Sequence, residues 1–194
     1  MLQIQRAAVA VLVLALLSGC ATNYINASGT TNPPPAAAWS DYQRFEITPI
    51  EIAPAYAGHN ANQRATERIQ EHLDRRVQPM LASWNTRGNG QDGQRALRFE
   101  PVIEDIKFIG GGTRFFAGAM AGSSAVKMRL SVIDVETGER IAHPEFYQHA
   151  NAWGGAYSIG STDNAMLDRI ASVVADYIAA NYAAPVGGPT GAGG

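Results

Sequence analysis

The chain has one cysteine, Cys20, among 194 residues. That excludes a disulfide within one chain and any zinc site built on paired cysteines. Charged residues make up only 16% and nearly cancel, at a formal net charge of −2. A near-neutral surface gives no electrostatic reason to bind nucleic acid. Long apolar runs are also missing. The longest, residues 7–17, has 11 residues, whereas a membrane span needs about 20. Catalytic histidines are scarce too: none of the four follows Ser158 in the chain. What remains is an apolar fraction of 46%, enough for one packed core in a single domain.

The short apolar run follows Arg6 and ends in Leu17-Ser18-Gly19-Cys20. A positive start, an apolar centre of this length and small residues at its close are the parts of an export signal. The last four residues resemble the lipobox of bacterial lipoproteins. That resemblance implies that residues 1–19 are removed and that Cys20 carries lipid and begins the mature chain. Each buried methylene adds about 0.8 kcal/mol, so two or three acyl chains would hold the protein firmly on a membrane. Ala21 follows the cysteine. By analogy with enteric sorting, an anchor on the outer membrane is expected, with the domain facing the periplasm.

Residues 20–40 read as the lipidated cysteine and a flexible tether. Residues 21–40 carry no charge and include Pro33-Pro34-Pro35. At ~3.1 Å per residue, such a polyproline-like segment could reach about 60 Å. Residues 41–184 read as the globular domain, and the Gly- and Pro-rich residues 185–194 as a disordered tail.

Within the domain, residues 42–54 read as a strand that changes parity at Pro49. Residues 59–84 read as a helix with Ile69, Leu73, Val77, Met80, Leu81 and Trp84 on one face. Pro79 is expected to kink or end it near Gln78. A second strand covers 96–109 and changes parity at Pro101. Residues 124–135 alternate most clearly, with Val126, Met128, Leu130 and Val132 on the buried side. Residues 136–139 are a turn with Gly138 free to take positive φ. Residues 140–153 return as an antiparallel partner interrupted by Pro144. Ser161-Thr162-Asp163 open a last helix through residue 182. The order β-α-β-β-β-α predicts an α+β fold: a small mixed sheet of about four strands, with two amphipathic helices on one face.

Gly110-Gly111-Gly112, Gly118-Ala119-Met120-Ala121-Gly122, the alternating strand and Asp134-Val135-Glu136-Thr137-Gly138 together resemble an uncharacterised-domain family of bacterial envelope lipoproteins. The layout is also similar to the N-terminal domain of the Tol-system propeller protein and to the core of the curli-secretion lipoprotein. The resemblance implies an α+β domain facing the envelope, and it brings no catalytic residues with it. A curli-type pore needs two long membrane hairpins. Residues 110–124 offer one short apolar segment, so no pore is expected.

No catalytic constellation emerges. Ala156-Tyr157-Ser158-Ile159-Gly160 nearly matches a nucleophile elbow but lacks the leading glycine and a later histidine. His59, His72, His143 and His149 form no His-x-x-x-His pair, and His143 and His149 lie about 20 Å apart along one strand. No metal or other cofactor is therefore expected. Gly110-Gly111-Gly112 lacks the Gly-Lys-Ser/Thr of a phosphate loop. Phe115 and Phe116, with Gly118 and Gly122, are the candidates for a partner or membrane contact. The expected function is non-enzymatic: a lipid-anchored envelope protein that binds an envelope partner or further copies of itself and assists an envelope assembly. The alternative is a small-ligand binder or a minor serine hydrolase acting through Ser158.

Overall fold

A computed structural model describes residues 25–87, 95–108, 124–150 and 161–193. The elements run β1 (Thr31–Asn32), a 3-10 turn (Trp39–Asp41), β2 (Arg44–Ile47), β3 (Glu51–Ile52), α1 (Pro54–Ala57) and α2 (Asn60–Arg87). They continue with β4 (Ala96–Lys107), β5 (Ser124–Asp134), β6 (Arg140–Ala142), β7 (Glu145–Ala150), α3 (Ser161–Ala180) and β8 (Gly188–Pro189). The protein is an α+β fold around one mixed sheet, as the element order predicts. In the sheet β2 and β3 both pair parallel with β4, β4 pairs antiparallel with β5, and β6 and β7 both pair antiparallel with β5. The sheet is thus four strands wide, its two outer strands each broken once.

The breaks have a proline cause. Thr48 donates its N–H to Phe99 O and Ala53 to Ile103 O, so the odd residues of β4 turn their backbone towards β2 and β3. Pro101 therefore aims its missing donor at the gap between those strands, which holds Pro49. The two prolines share one interruption, and neither leaves an orphaned partner. The parity of β4 does not change at Pro101, as the sequence suggests. Leu97, Phe99, Pro101 and Ile103 share the buried side, and the change comes at a bulge between Ile103 and Asp105 that returns Ile106 to the core. A bulge adds one residue and flips every later side chain.

Helix α2 runs through Pro79 to Arg87 instead of ending near Gln78. Pro79 and Arg75, whose carbonyl the ring crowds, both face solvent, where the freed carbonyl meets water. On the opposite side Ile69, Leu73, Val77, Leu81 and Trp84 are buried against the sheet. That packing outweighs a proline cost of about 3 kcal/mol. Helix α3 lies beside α2 and adds Met166, Leu167, Ile170, Val174, Tyr177 and Ile178 to the same core, so both helices cover one face.

Over residues 25–40 and 185–193 the structure corrects the expected flexible tether and disordered tail, while residues 20–24 lie outside the described residues. From Ile25 onward the chain is packed on the domain. Trp39 is fully buried, donates its ring N–H to Ile178 O at 2.9 Å, and meets Phe99 edge-on at 5.8 Å. β1 pairs with β8, so both terminal segments form a strap along the outer strand β7. Tyr147 N–H donates to Thr190 O, and Ala36 N–H donates to Ile141 O. Asn181, fully buried, accepts from Val186 and Gly187 N–H and donates to Tyr177 O and Gly187 O. Gly187 takes φ 75°, and a Cβ there would stand 2.5 Å from Asn32 O. The tail glycines therefore serve close backbone contact as well as turning.

Candidate functional site

Two surfaces qualify. The first is the face of the sheet that the helices leave open. It carries Glu46, Arg98, Glu100, Glu104, Lys127, Arg129 and Glu145, joined pairwise. Arg98 meets Glu100 at 2.6 Å, and Arg129 meets Glu104 and Glu145 at 2.9 Å each. Every cation here has a carboxylate, so the face presents no field of one sign. The outer backbone of the sheet is closed as well. Asn85 takes both the N–H and C=O of Phe45, Gln70 accepts from Ile50 N–H, and the terminal strap covers β7. A partner adding a strand would have to displace these groups.

The second surface is a half-open cleft of about 350 Å³ at one end of the domain. It is lined by Ile25, Tyr56, His59, Ala61, Asn62, Asp105, Ile106, Lys107 and Phe108. Pro54 starts α1 at the position where its missing N–H costs nothing. Ala53 N–H bonds Ile103 O and ties that helix to the sheet. Interaction with the neighbouring Asp105 carboxylate, with some burial, raises the Tyr56 phenol above its ordinary value. The cleft thus combines the buried Ile25, Asn62 and Ile106 with a neutral phenol and the more exposed His59 and Lys107. Among the described residues its lining includes no serine or cysteine.

The sequence candidates are scattered. Cys20, Phe115, Phe116, Gly118, Gly122, Ser158 and residues 110–112 all lie outside the described residues. Their flanks can be placed. Phe108 and Ser124 border the second stretch, Ala150 and Ser161 the third, and register puts Ser124 opposite Ala150 and Lys107 opposite Ala125. All four flanks lie at the cleft end. His59 lines the cleft. His72 Nδ1 lies 2.8 Å from Asp168 Oδ1, with Arg75 and Arg76 close by. Burial and then the surrounding arginines lower its pKa against the pull of Asp168. His143 Nδ1 meets Ser131 Oγ at 3.1 Å across the open face, and burial, then Arg140 and Arg129, lower its pKa. His149 stacks on Tyr147. Among the described residues no three His, Cys, Asp or Glu side chains gather closely enough for a metal ion. No described helix is long and apolar enough to cross a membrane.

Sequence reasoning missed a clasp centred on Glu145. Its carboxylate accepts from Ser28 N–H at 2.6 Å, Ser28 Oγ at 2.8 Å and Arg129 at 2.9 Å. Its own N–H and C=O bond the Asn32 amide at 2.8 Å each. Burial opposes ionisation, but Ser28, Arg129 and Lys127 together hold the carboxyl below its ordinary value. The clasp also fixes residues 28–32, which follow the cleft residue Ile25, to the sheet. A second unforeseen group is Asp134, which accepts from Glu136 and Thr137 N–H inside the turn and from Arg95 at 2.7 Å.

No family model matches the chain, and no curated protein matches it either. Among solved structures it is similar to the PelC dodecamer from Paraburkholderia phytofirmans, at 14% identity and a TM-score of 0.37 over 73% of this chain and 93% of that one. It is similar to XCC0632 from Xanthomonas campestris, of the DUF330 family, at 10% identity and a TM-score of 0.39 over 75% and 87%. It is also similar to a presumptive lipoprotein of Caulobacter crescentus CB15, at 16% identity and a TM-score of 0.30 over 69% and 87%. Superpositions this loose transfer neither an assembly state nor an activity.

Proposed function

We propose that the protein is a lipid-anchored envelope protein, held on the periplasmic face of the outer membrane, whose domain acts by binding and not by catalysis. The observation that supports it best is Leu17-Ser18-Gly19-Cys20 standing five residues before Ile25, the first described residue, which is packed on the domain. A lipid on Cys20 would hold a folded domain directly at a membrane. The expected partner is an envelope protein or further copies of this chain, met through the cleft end. The connection bearing Phe115, Phe116, Gly118 and Gly122 leaves and re-enters the domain at that end. The likeness to the Tol-system and curli-secretion domains rests on sequence motifs alone and is part of this reading.

The test is fractionation of cells producing the full-length protein beside Cys20→Ser. The native chain is expected in the outer-membrane fraction with the mass of an acylated cysteine at its N-terminus. The variant is expected to lose that mass and the membrane association. An unmodified thiol on the native chain would refute the reading. The half-open cleft supports a second reading, a small ligand with one apolar and one anionic or hydrogen-bonding part, bound between Phe108 and Lys107.

A further inference from the structure

We propose that the cleft end of the domain rests directly on the phospholipid bilayer that holds the anchor. The inference builds on the reading of Cys20 as lipidated. Its own content is the distance and orientation of the domain.

The argument begins with the leash. Five residues, even fully extended, span at most about 17 Å. Ile25 is only 8% exposed and sits in the cleft with Tyr56 and Phe108, so the leash ends there. It cannot lengthen without breaking the fastening just beyond it. Ser28 is held twice by Glu145, Asn32 twice by the Glu145 backbone, and Thr31–Asn32 by β8. The reach of about 60 Å expected of a free tether is thereby cut by more than two thirds.

The domain is long compared with this leash. The 12 residues of β4 run from the far end to the cleft end, about 36 Å at ~3.3 Å per residue. The turn around Gly138 lies at the far end, since Asp134 pairs with Leu97 at the start of β4. With the anchor in the bilayer, the cleft end is held within the leash length of the headgroups, whereas the turn, a full strand length away, is not held there by the leash.

The surface chemistry agrees. Tyr56 and Phe108 offer partly apolar rings, His59 and Lys107 offer donors for phosphate oxygens, and Asp105, the one carboxylate among the described lining residues, lies beside the Tyr56 hydroxyl. An aromatic body with a polar tip suits the headgroup layer.

The experiment uses the full-length lipidated protein in phosphatidylethanolamine–phosphatidylglycerol vesicles that carry an acceptor dye on their headgroups. Lipidation consumes the native thiol, so a single introduced cysteine takes the donor dye. Ala55→Cys marks α1 at the cleft end, and Glu139→Cys marks the far turn; both positions are exposed. Energy transfer is expected to be several-fold stronger from residue 55 than from residue 139. Adding Glu145→Gln, which loosens the Ser28 fastening, is expected to shrink that difference. Equal transfer from both positions, or stronger transfer from 139, overturns the orientation while leaving the anchor intact. Protein that fails to float with the vesicles overturns the anchor itself, and the orientation falls with it.

Discussion

Replacing Trp39 by alanine is expected to destabilise the domain by about 3–5 kcal/mol, the usual loss for a fully buried tryptophan. The indole is wholly enclosed, meets Phe99 and Tyr177, and spends its N–H on Ile178 O. Alanine leaves a cavity there and an unmet carbonyl at the end of α3. Urea unfolding of a soluble chain beginning at residue 21 reads the effect directly. A loss below about 1 kcal/mol would mean that Trp39 lies outside the core. The prediction separates the two accounts of residues 25–40, because a tryptophan in a free spacer would cost nothing.

Glu145→Gln is the second large effect, expected at about 2–3 kcal/mol near neutral pH. The side chain is 5% exposed and has Arg129 beside it at 24%. Arg129 keeps Glu104, so the glutamine leaves no cation wholly unpaired, which holds the loss at the lower end for a buried pair. Ser28 loses its charged acceptor, and the strap should become sensitive to protease between residues 25 and 36. The pH dependence follows from the direction of the shift. The folded pKa lies below the ordinary glutamate value, so the contribution is fully present above that ordinary value. It is lost as pH falls through the lowered folded value. Acid should therefore destabilise the native chain over that interval more than it does the glutamine variant. Parallel acid titrations by circular dichroism would settle it, and identical slopes would contradict the clasp.

Much of the sheet and both long helices could be read from the chain because their signals are local. The alternation at Val126, Met128, Leu130 and Val132 and the stripe from Ile69 to Trp84 each reflect one face of one element. The turn was legible for the same reason, and Gly138 takes φ 71° as expected. Pro79 misled because a proline cost of fixed size competes with packing that no local window can weigh. The tether misled for a different reason. Residues 25–40 have no periodic pattern, and what holds them comes from more than a hundred residues away: Glu145 for Ser28 and Asn32, Ile178 and Asn181 for Trp39. Polyproline-like chain has no internal hydrogen bonds, so whether it is free or tied down depends wholly on such distant groups. One signal was available, the large aromatic Trp39 in a stretch otherwise read as spacer. The tail was misread likewise, since Gly187 and Gly191 at positive φ look like chain flexibility until their neighbours are known.

At the candidate site the balance is less favourable. The resemblance to a lipobox at Leu17-Ser18-Gly19-Cys20 is carried by four consecutive residues. The cleft is not, because Ile25, Tyr56 and Lys107 come from three separate parts of the chain and meet only through the parallel pairing of β3 with β4 and the strap that passes beside them.

The account turns on residues 25–40 belonging to the fold, for the short leash, the clasp and the membrane-facing end all follow from that. Amide hydrogen exchange on the soluble chain from residue 21 tests it most directly. The N–H groups of Ala36, Trp39 and Ser40, which donate to Ile141, Asn181 and Tyr182 carbonyls, are expected to exchange as slowly as those of β5. Exchange at the rate of an unstructured peptide at these three positions, with β5 still protected, would contradict it.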